Sequence, residues 1–286
     1  MAVFSRLEGL GIKNIAPGEL YDQDKRMMDK ATGVPGIDIV DVLDETAYIF
    51  EKKFKCPICD RPFTSLTTRT GKFRPTGTDV DLRPMYEGPD PVKYEIIACP
   101  SCGHAAHSRI FGQLAAVQGK LIKEGLSYAY RPIKWGTKAY TYEEAKIRYE
   151  LAMANAIVGR FRNGERAHLC LKMAWLIRGE RERFDANDPD YAEKVKESEA
   201  DEAELLQQAL DGFVDAKQTE LPPIAGMDSG TLDYLLSALF YKTGQLEECR
   251  KLVGKIMTDR SISNPRIKDR ADRLRDIVRE EMGGEG

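Results

Sequence analysis

Four cysteines in two Cys-x-x-Cys pairs, Cys56-Pro57-Ile58-Cys59 and Cys99-Pro100-Ser101-Cys102, are the residues of this chain whose type and spacing imply chemistry most directly. A tight turn lets both sulfurs of a pair point at a common centre. Two such pairs close a tetrahedron of thiolates around one soft or borderline cation. The expectation is a structural Zn2+ held by Cys56, Cys59, Cys99 and Cys102.

Iron is the less favoured alternative. Cys-Pro-x-Cys-Gly, as at Cys99 to Gly103, also occurs in rubredoxin-like electron carriers, but the first pair has Asp60 where that pattern has glycine. His104 and His107 follow the last cysteine and are further candidate ligands. Four thiolates already close a structural site, so packing or surface exposure is the expected role of both. The same closure weighs against catalysis, because a catalytic metal keeps an open position. The chain has no Gly-rich phosphate loop, nucleophile elbow or His-Glu-x-x-His pair, and only three histidines, His104, His107 and His168.

The elements that must position the sulfurs are short strands. Ala47 to Phe54 alternates Tyr48, Phe50 and Phe54 into the first pair, and Val92, Tyr94 and Ile96 alternate into the second, as in a zinc ribbon. The intervening Asp60 to Ala98 exceeds the roughly 15–20 residues of the simple pattern. It carries a strand-like stretch, Thr64 to Phe73, and then a turn-rich passage. A sheet this small gains little by burial, whereas a structural zinc contributes about 10–16 kcal/mol of apparent binding free energy. The first pair also lies in a basic, aromatic neighbourhood with Phe54, Phe63 and Phe73. Lys55, Arg69, Lys72 and Arg74 are its candidate nucleic-acid contacts, set against the simpler reading of a solvated face over an aromatic core.

After Ser108 the pattern becomes helical. Phe111, Leu114, Ala115, Gln118, Leu121 and Ile122 fit a linking helix, and Thr141 to Glu144 is a capping box opening a helix to about Gly159. Further helices are expected from Asn163, from Asp188-Pro189 through Lys217, from a Ser229 cap, over Leu246 to Met257, and from Asn264-Pro265 to Met282. From Leu232 to Ile256 the order Leu236, Phe240, Gly244, Cys249 and Val253 resembles a tetratricopeptide repeat, with Cys249 as its small core residue. Tyr149 to Ala174 is a looser echo. The predicted class is α+β, mostly α: a partly ordered arm over 1–45 with a short helix around Glu19 to Lys30, a four-cysteine zinc ribbon over 46–108, a linking helix and loop over 109–140, and a tetratricopeptide-like bundle over 141–286.

The 286 residues, 31% charged and 42% hydrophobic, describe a soluble globular chain. A net charge of -3 gives no global nucleic-acid signal. No stretch approaches the roughly 20 apolar residues of a spanning helix, so the expected place is the cytoplasm and no membrane partner is expected. There, six cysteines read as ligands and free thiols before disulfides.

Phe54-x-Cys56-Pro57-x-Cys59, Phe63, Tyr86-Glu87-Gly88, Pro91 and Tyr94 leading to Cys99-Pro100-x-Cys102-Gly103 together resemble an uncharacterised bacterial family, domain of unknown function 2225. The resemblance implies a ribbon followed by tetratricopeptide-like helices, and no established activity. The expected function is a non-catalytic zinc-binding adaptor that meets a protein partner or a second copy through its helices. The alternatives are a nucleic-acid or ribosome-associated factor using the basic ribbon and, below it, an iron electron carrier.

Overall fold

The structure, a computed structural model, describes residues 5–12, 45–262 and 264–283. The helix expected around Glu19 to Lys30 lies outside them. Two compact units form. One comprises the described residues of Met1–Arg74 with Tyr86–Phe161 and Lys172–Glu202. The other comprises Pro75–Met85, Arg162–Leu171 and the described residues of Ala203–Gly286.

Small antiparallel pairs make up the β part. Strands β1 (Ile49–Lys55) and β2 (Pro62–Thr68) pair in register from Ile49 opposite Thr68 to Lys55 opposite Pro62. Strand β3 (Arg74–Thr78) pairs with β4 (Pro84–Glu87), and β5 (Ile96–Ala98) pairs with β6 (Ala105–His107). Two expected strands are shorter than their alternation suggests. The stretch from Thr64 to Phe73 ends at Thr68, because the chain turns through Gly71 at φ 76°. The approach to the second pair is not extended from Val92: Pro91–Tyr94 forms a 3-10 turn, with Asp90 accepting from the Val92 N–H at 2.9 Å. Proline in the first position and an aspartate cap favour that turn over a strand.

Among the described residues there are seven α-helices, so the protein is mostly α with an N-terminal β module. Helix α1 (Ala116–Ile122) is shorter than the apolar spacing predicts and continues as a π-turn, Lys123–Ser127. Phe111 lies outside it and packs in the ribbon, between Phe54 and Phe63. Helix α2 (Tyr142–Val158) opens on the expected capping box: Thr141 Oγ1 accepts from the Glu144 N–H at 3.1 Å, and Glu144 Oε2 accepts from the Thr141 N–H at 3.0 Å.

Helices α3 (Asn163–Arg181) and α4 (Tyr191–Thr219) follow. The fourth begins later than Asp188-Pro189, since Asp188 instead accepts from the Asp190 N–H and forms a turn. Helix α5 (Ser229–Lys242) is capped by Asp228, one residue before the expected Ser229, through the Thr231 N–H at 2.7 Å. Leu232, Leu235, Leu236 and Leu239 are buried as their spacing predicts. Gly244, at φ 75°, turns the chain into α6 (Leu246–Thr258), and α7 (Pro265–Gly283) completes the core of the second unit. In that core Cys249, Val253 and Ile256 pack with Tyr234, Ala238, Ile267 and Leu274.

Candidate metal centre

Each Cys-x-x-Cys pair is the turn of a hairpin, and the two turns share one hydrogen-bond pattern. The Cys56 N–H donates to the Arg61 carbonyl at 3.1 Å and the Asp60 N–H to the Cys56 carbonyl at 3.0 Å. In the second turn, the Cys99 N–H donates to the His104 carbonyl at 2.8 Å and the Gly103 N–H to the Cys99 carbonyl at 3.1 Å. Both turns need a left-handed residue just after the second cysteine, supplied by Asp60 at φ 59° and Gly103 at φ 72°. Aspartate is among the non-glycine residues that tolerate this region.

The two turns bring Cys56, Cys59, Cys99 and Cys102 together, with all four sulfurs within 4.8 Å of one another. Cys56 Sγ lies 3.5 Å from Cys102 Sγ, and Cys59 Sγ 3.7 Å from Cys99 Sγ. A tetrahedral ion with metal–sulfur bonds of about 2.3 Å requires sulfur separations of about 3.8 Å. The cluster therefore has the donors and the size to hold one metal ion. Cys56 and Cys99 are inaccessible to solvent, Cys102 is buried and Cys59 half-buried.

Such crowding splits the thiols. Hydrogen bonds from Cys102 and Cys56 hold Cys99 well below the usual thiol range. Hydrogen bonding with Cys56 and Cys99, with burial, pushes Cys102 upward. Packed thiols cannot all ionise without a cation at their centre, and a divalent ion resolves that conflict. Backbone N–H groups already face the sulfurs, as the Ile58 N–H does toward Cys56 Sγ at 3.4 Å.

Neither candidate histidine joins this cluster. His104 is fully buried; its Nδ1 faces Asn155 Oδ1 at 3.1 Å, and its ring lies 4.8 Å from that of Phe111. Burial lowers its pKa. His107 accepts from the Arg109 N–H at Nδ1 and lies 3.5 Å from Glu95 through Nε2.

Of the rings beside the first pair, Phe54 and Phe63 pack half-buried against Phe111, whereas Phe73 meets Tyr48 and Tyr86. Phe54, Phe63 and Phe111 meet at centroid distances of 5.8, 6.0 and 5.9 Å. The basic residues divide. Lys55 pairs with Asp60 at 3.1 Å. Arg69 donates to the Ile49 carbonyl at 2.8 Å and lies 5.5 Å from the Phe50 ring. Lys72 and Arg74 line one cleft of about 290 Å³ with Ala47, Tyr48 and Glu87. Lys55 and Arg69 sit beside opposite ends of β1, which is about 20 Å long at 3.3 Å per residue.

Polar residues of α2 that the helical pattern did not single out fasten this helix to the ribbon. Arg148, fully buried, donates from Nη2 to the Ile96 carbonyl and to Ser65 Oγ, both at 2.8 Å, and stacks on Tyr140 at 4.1 Å. The Tyr149 hydroxyl donates to the Val92 carbonyl at 3.2 Å. Asn155 donates to the Gly103 carbonyl at 2.8 Å. A lone arginine and a lone asparagine within Arg148-Tyr-Glu-Leu-Ala-Met-Ala-Asn155 were the available signal.

No helix among the described residues is long and apolar enough to cross a membrane. Comparison with curated proteins and with solved structures returns no match. The model of one bacterial family, described as an uncharacterized protein conserved in bacteria, spans the ribbon and the helices from residue 49 to residue 278, so the chain belongs to the DUF2225 family.

Proposed function

We propose that this protein is a non-catalytic, zinc-clasped adaptor of the cytoplasm. The observation that carries the reading is the approach of four sulfurs from two matched turns to within 4.8 Å of one another. Zn2+ is the ion proposed for Cys56, Cys59, Cys99 and Cys102, since a closed set of four thiolates suits a structural ion without redox chemistry. In this reading the ribbon over 46–108 fixes one end of the protein, 109–140 links it onward, and the tetratricopeptide-like helices over 141–286 present a surface to a protein partner or a second copy. The α5–α6 hairpin supports that role through its buried stripe and its Gly244 turn, although core packing alone requires the same stripe.

Elemental analysis of the purified full chain, with its absorption spectrum, tests the metal. One zinc per chain and no visible band is the expected result; one iron with a thiolate charge-transfer band would replace the adaptor by the electron carrier. Affinity purification and sizing from the native cell test the other half, and finding neither a partner nor self-association would overturn it.

A nucleic-acid reading keeps one supporting observation, the convergence of Lys72 and Arg74 on a single cleft beside Tyr48. It requires RNA binding that weakens with salt and with Lys72→Glu and Arg74→Glu together, whereas the adaptor ignores added RNA.

A further inference from the structure

Beside the first cysteine turn lies a cleft of about 380 Å³, lined by Pro57 and Ile58 of that turn together with Leu114, Gly119, Lys120 and Tyr128. Its surroundings leave apolar surface in water: Tyr128 is 74% exposed, and Val117, on the same α1, is 72% exposed. Gly119, in the middle of α1, lines the cleft. Glycine disfavours a helix interior relative to alanine. Nothing in the fold demands it here, because a Cβ at Gly119 would make only ordinary contacts, 3.5 Å to Leu114 and 3.6 Å to Ile58. Gly125, in the π-turn that follows, is different: its Cβ would meet Val158 at 2.7 Å, so packing explains that glycine. The missing side chain at Gly119 thus leaves room between Leu114 and Ile58 in the cleft lining, at a cost to the helix. The π-turn between α1 and Tyr128 is a further departure of the kind that recurs at functional sites.

We propose that this cleft docks an acidic peptide segment of a partner protein by taking one apolar side chain over Gly119. The proposal rests on the adaptor reading and names its surface. Lys120 and Lys123 line the cleft, exposed and one helical turn apart, with Glu124 as the one carboxylate in the lining. Their charges complement Asp or Glu flanking the buried anchor and speed its approach. Single-stranded nucleic acid fits less well, since stacking platforms present several aromatic rings or arginines, and this lining offers one ring, Tyr128, and no arginine.

The test pans a displayed library of random heptapeptides against the full, metal-loaded chain and measures the enriched peptides by fluorescence anisotropy. The expected consensus is one Leu, Ile, Phe or Met beside at least two Asp or Glu. Gly119→Leu should weaken such a peptide tenfold or more. Gly119→Ala should weaken it severalfold while the melting temperature stays level or rises, which separates filling the cleft from unfolding. Lys120→Glu with Lys123→Glu should weaken it and flatten its salt dependence. No consensus, a basic consensus, affinities indifferent to both Gly119 variants, or oligouridylate bound in a Gly119-dependent way would each overturn the assignment. A partner recovered equally by wild type and Gly119→Leu from the native cell would remove the cleft and leave the adaptor standing; the absence of any partner or self-association would remove the adaptor itself.

Discussion

Asn155, in the fourth turn of α2, donates from Nδ2 to the carbonyl of Gly103, 2.8 Å away, directly after Cys102. A second bond from the same amide nitrogen reaches the Leu151 carbonyl at 2.8 Å, which leaves Oδ1 to face His104 Nδ1. Burial disfavours the charged imidazole, whose Nδ1 faces Asn155 Oδ1 at 3.1 Å and whose Nε2 faces the Phe111 carbonyl at 3.4 Å. The second cysteine turn is therefore held from behind by a helix far along the chain.

Asn155→Ala should remove that hold without touching a sulfur. It leaves the Gly103 carbonyl and His104 Nδ1 buried without this partner, a loss of about 2–4 kcal/mol. Urea unfolding should show the lower midpoint, and a chelator should withdraw the metal faster while the initial metal content stays at one per chain. A midpoint within about 0.5 kcal/mol of wild type, the range of an ordinary surface substitution, would show that α2 does not support the turn.

Cys99→Ser should have a local effect. A serine hydroxyl is a poor substitute for a thiolate toward zinc, so elemental analysis should find the bound metal lost. Hydrogen exchange should accelerate across 49–68 and 96–107, which depend on the clasp, and stay unchanged across 229–283, whose core is Tyr234, Cys249, Ile256 and Leu274. Retained stoichiometric metal would refute the four-sulfur assignment.

The four-cysteine cluster and the hairpin of α5 and α6 were legible because each rests on local rules: paired cysteines in tight turns, and a leucine stripe at helical spacing. The start of the strand before Cys99 was not, because Pro91 and Asp90 form a 3-10 turn that overrides the alternation at Val92 and Tyr94 and leaves only Ile96–Ala98 extended. The role of α2 was hidden for another reason. Its buried face carries Arg148, Glu150 and Asn155, whose burial depends on carbonyls, an arginine and an imidazole distant in sequence, and a hydrophobic pattern counts such residues as exposed. Phe111 was drawn into the linking helix by its spacing, whereas aromatic packing places it in the ribbon.

The two cysteine turns should differ sharply in their tolerance of a side chain. Gly103→Ala puts a Cβ 2.5 Å from the Tyr130 ring in a left-handed conformation, and should lower stability by about 2–4 kcal/mol. Asp60→Gly relaxes the same conformation in the first turn and gives up an exposed ion pair with Lys55, so its effect should stay within about 1 kcal/mol. Thermal unfolding of the two variants side by side measures the contrast; equal destabilisation would contradict the packing of Tyr130 on the second turn.

Glu150 and Glu95 make stability depend on pH in opposite senses. Burial raises Glu150 from its ordinary value of 4.5 to about 7, outweighing the Arg6 guanidinium 2.5 Å away. The folded chain then holds a proton that the unfolded chain has released. Its contribution is fully present below about pH 4.5 and is lost as pH rises through about 7, by up to about 3 kcal/mol. Glu95 is half-buried, but Lys172 at 3.0 Å and His107 at 3.5 Å outweigh desolvation and lower it to about 2. Its contribution is present above about pH 4.5 and fades as pH falls through about 2. Denaturant unfolding from pH 5 to pH 8 should therefore show a decline that Glu150→Gln removes, since a neutral amide has no proton to lose. Glu95→Gln should lower stability at pH 6 and have little effect near pH 2, where wild-type Glu95 is itself becoming neutral. An undiminished decline in Glu150→Gln would mean that the protonated state of this carboxyl does not support the fold.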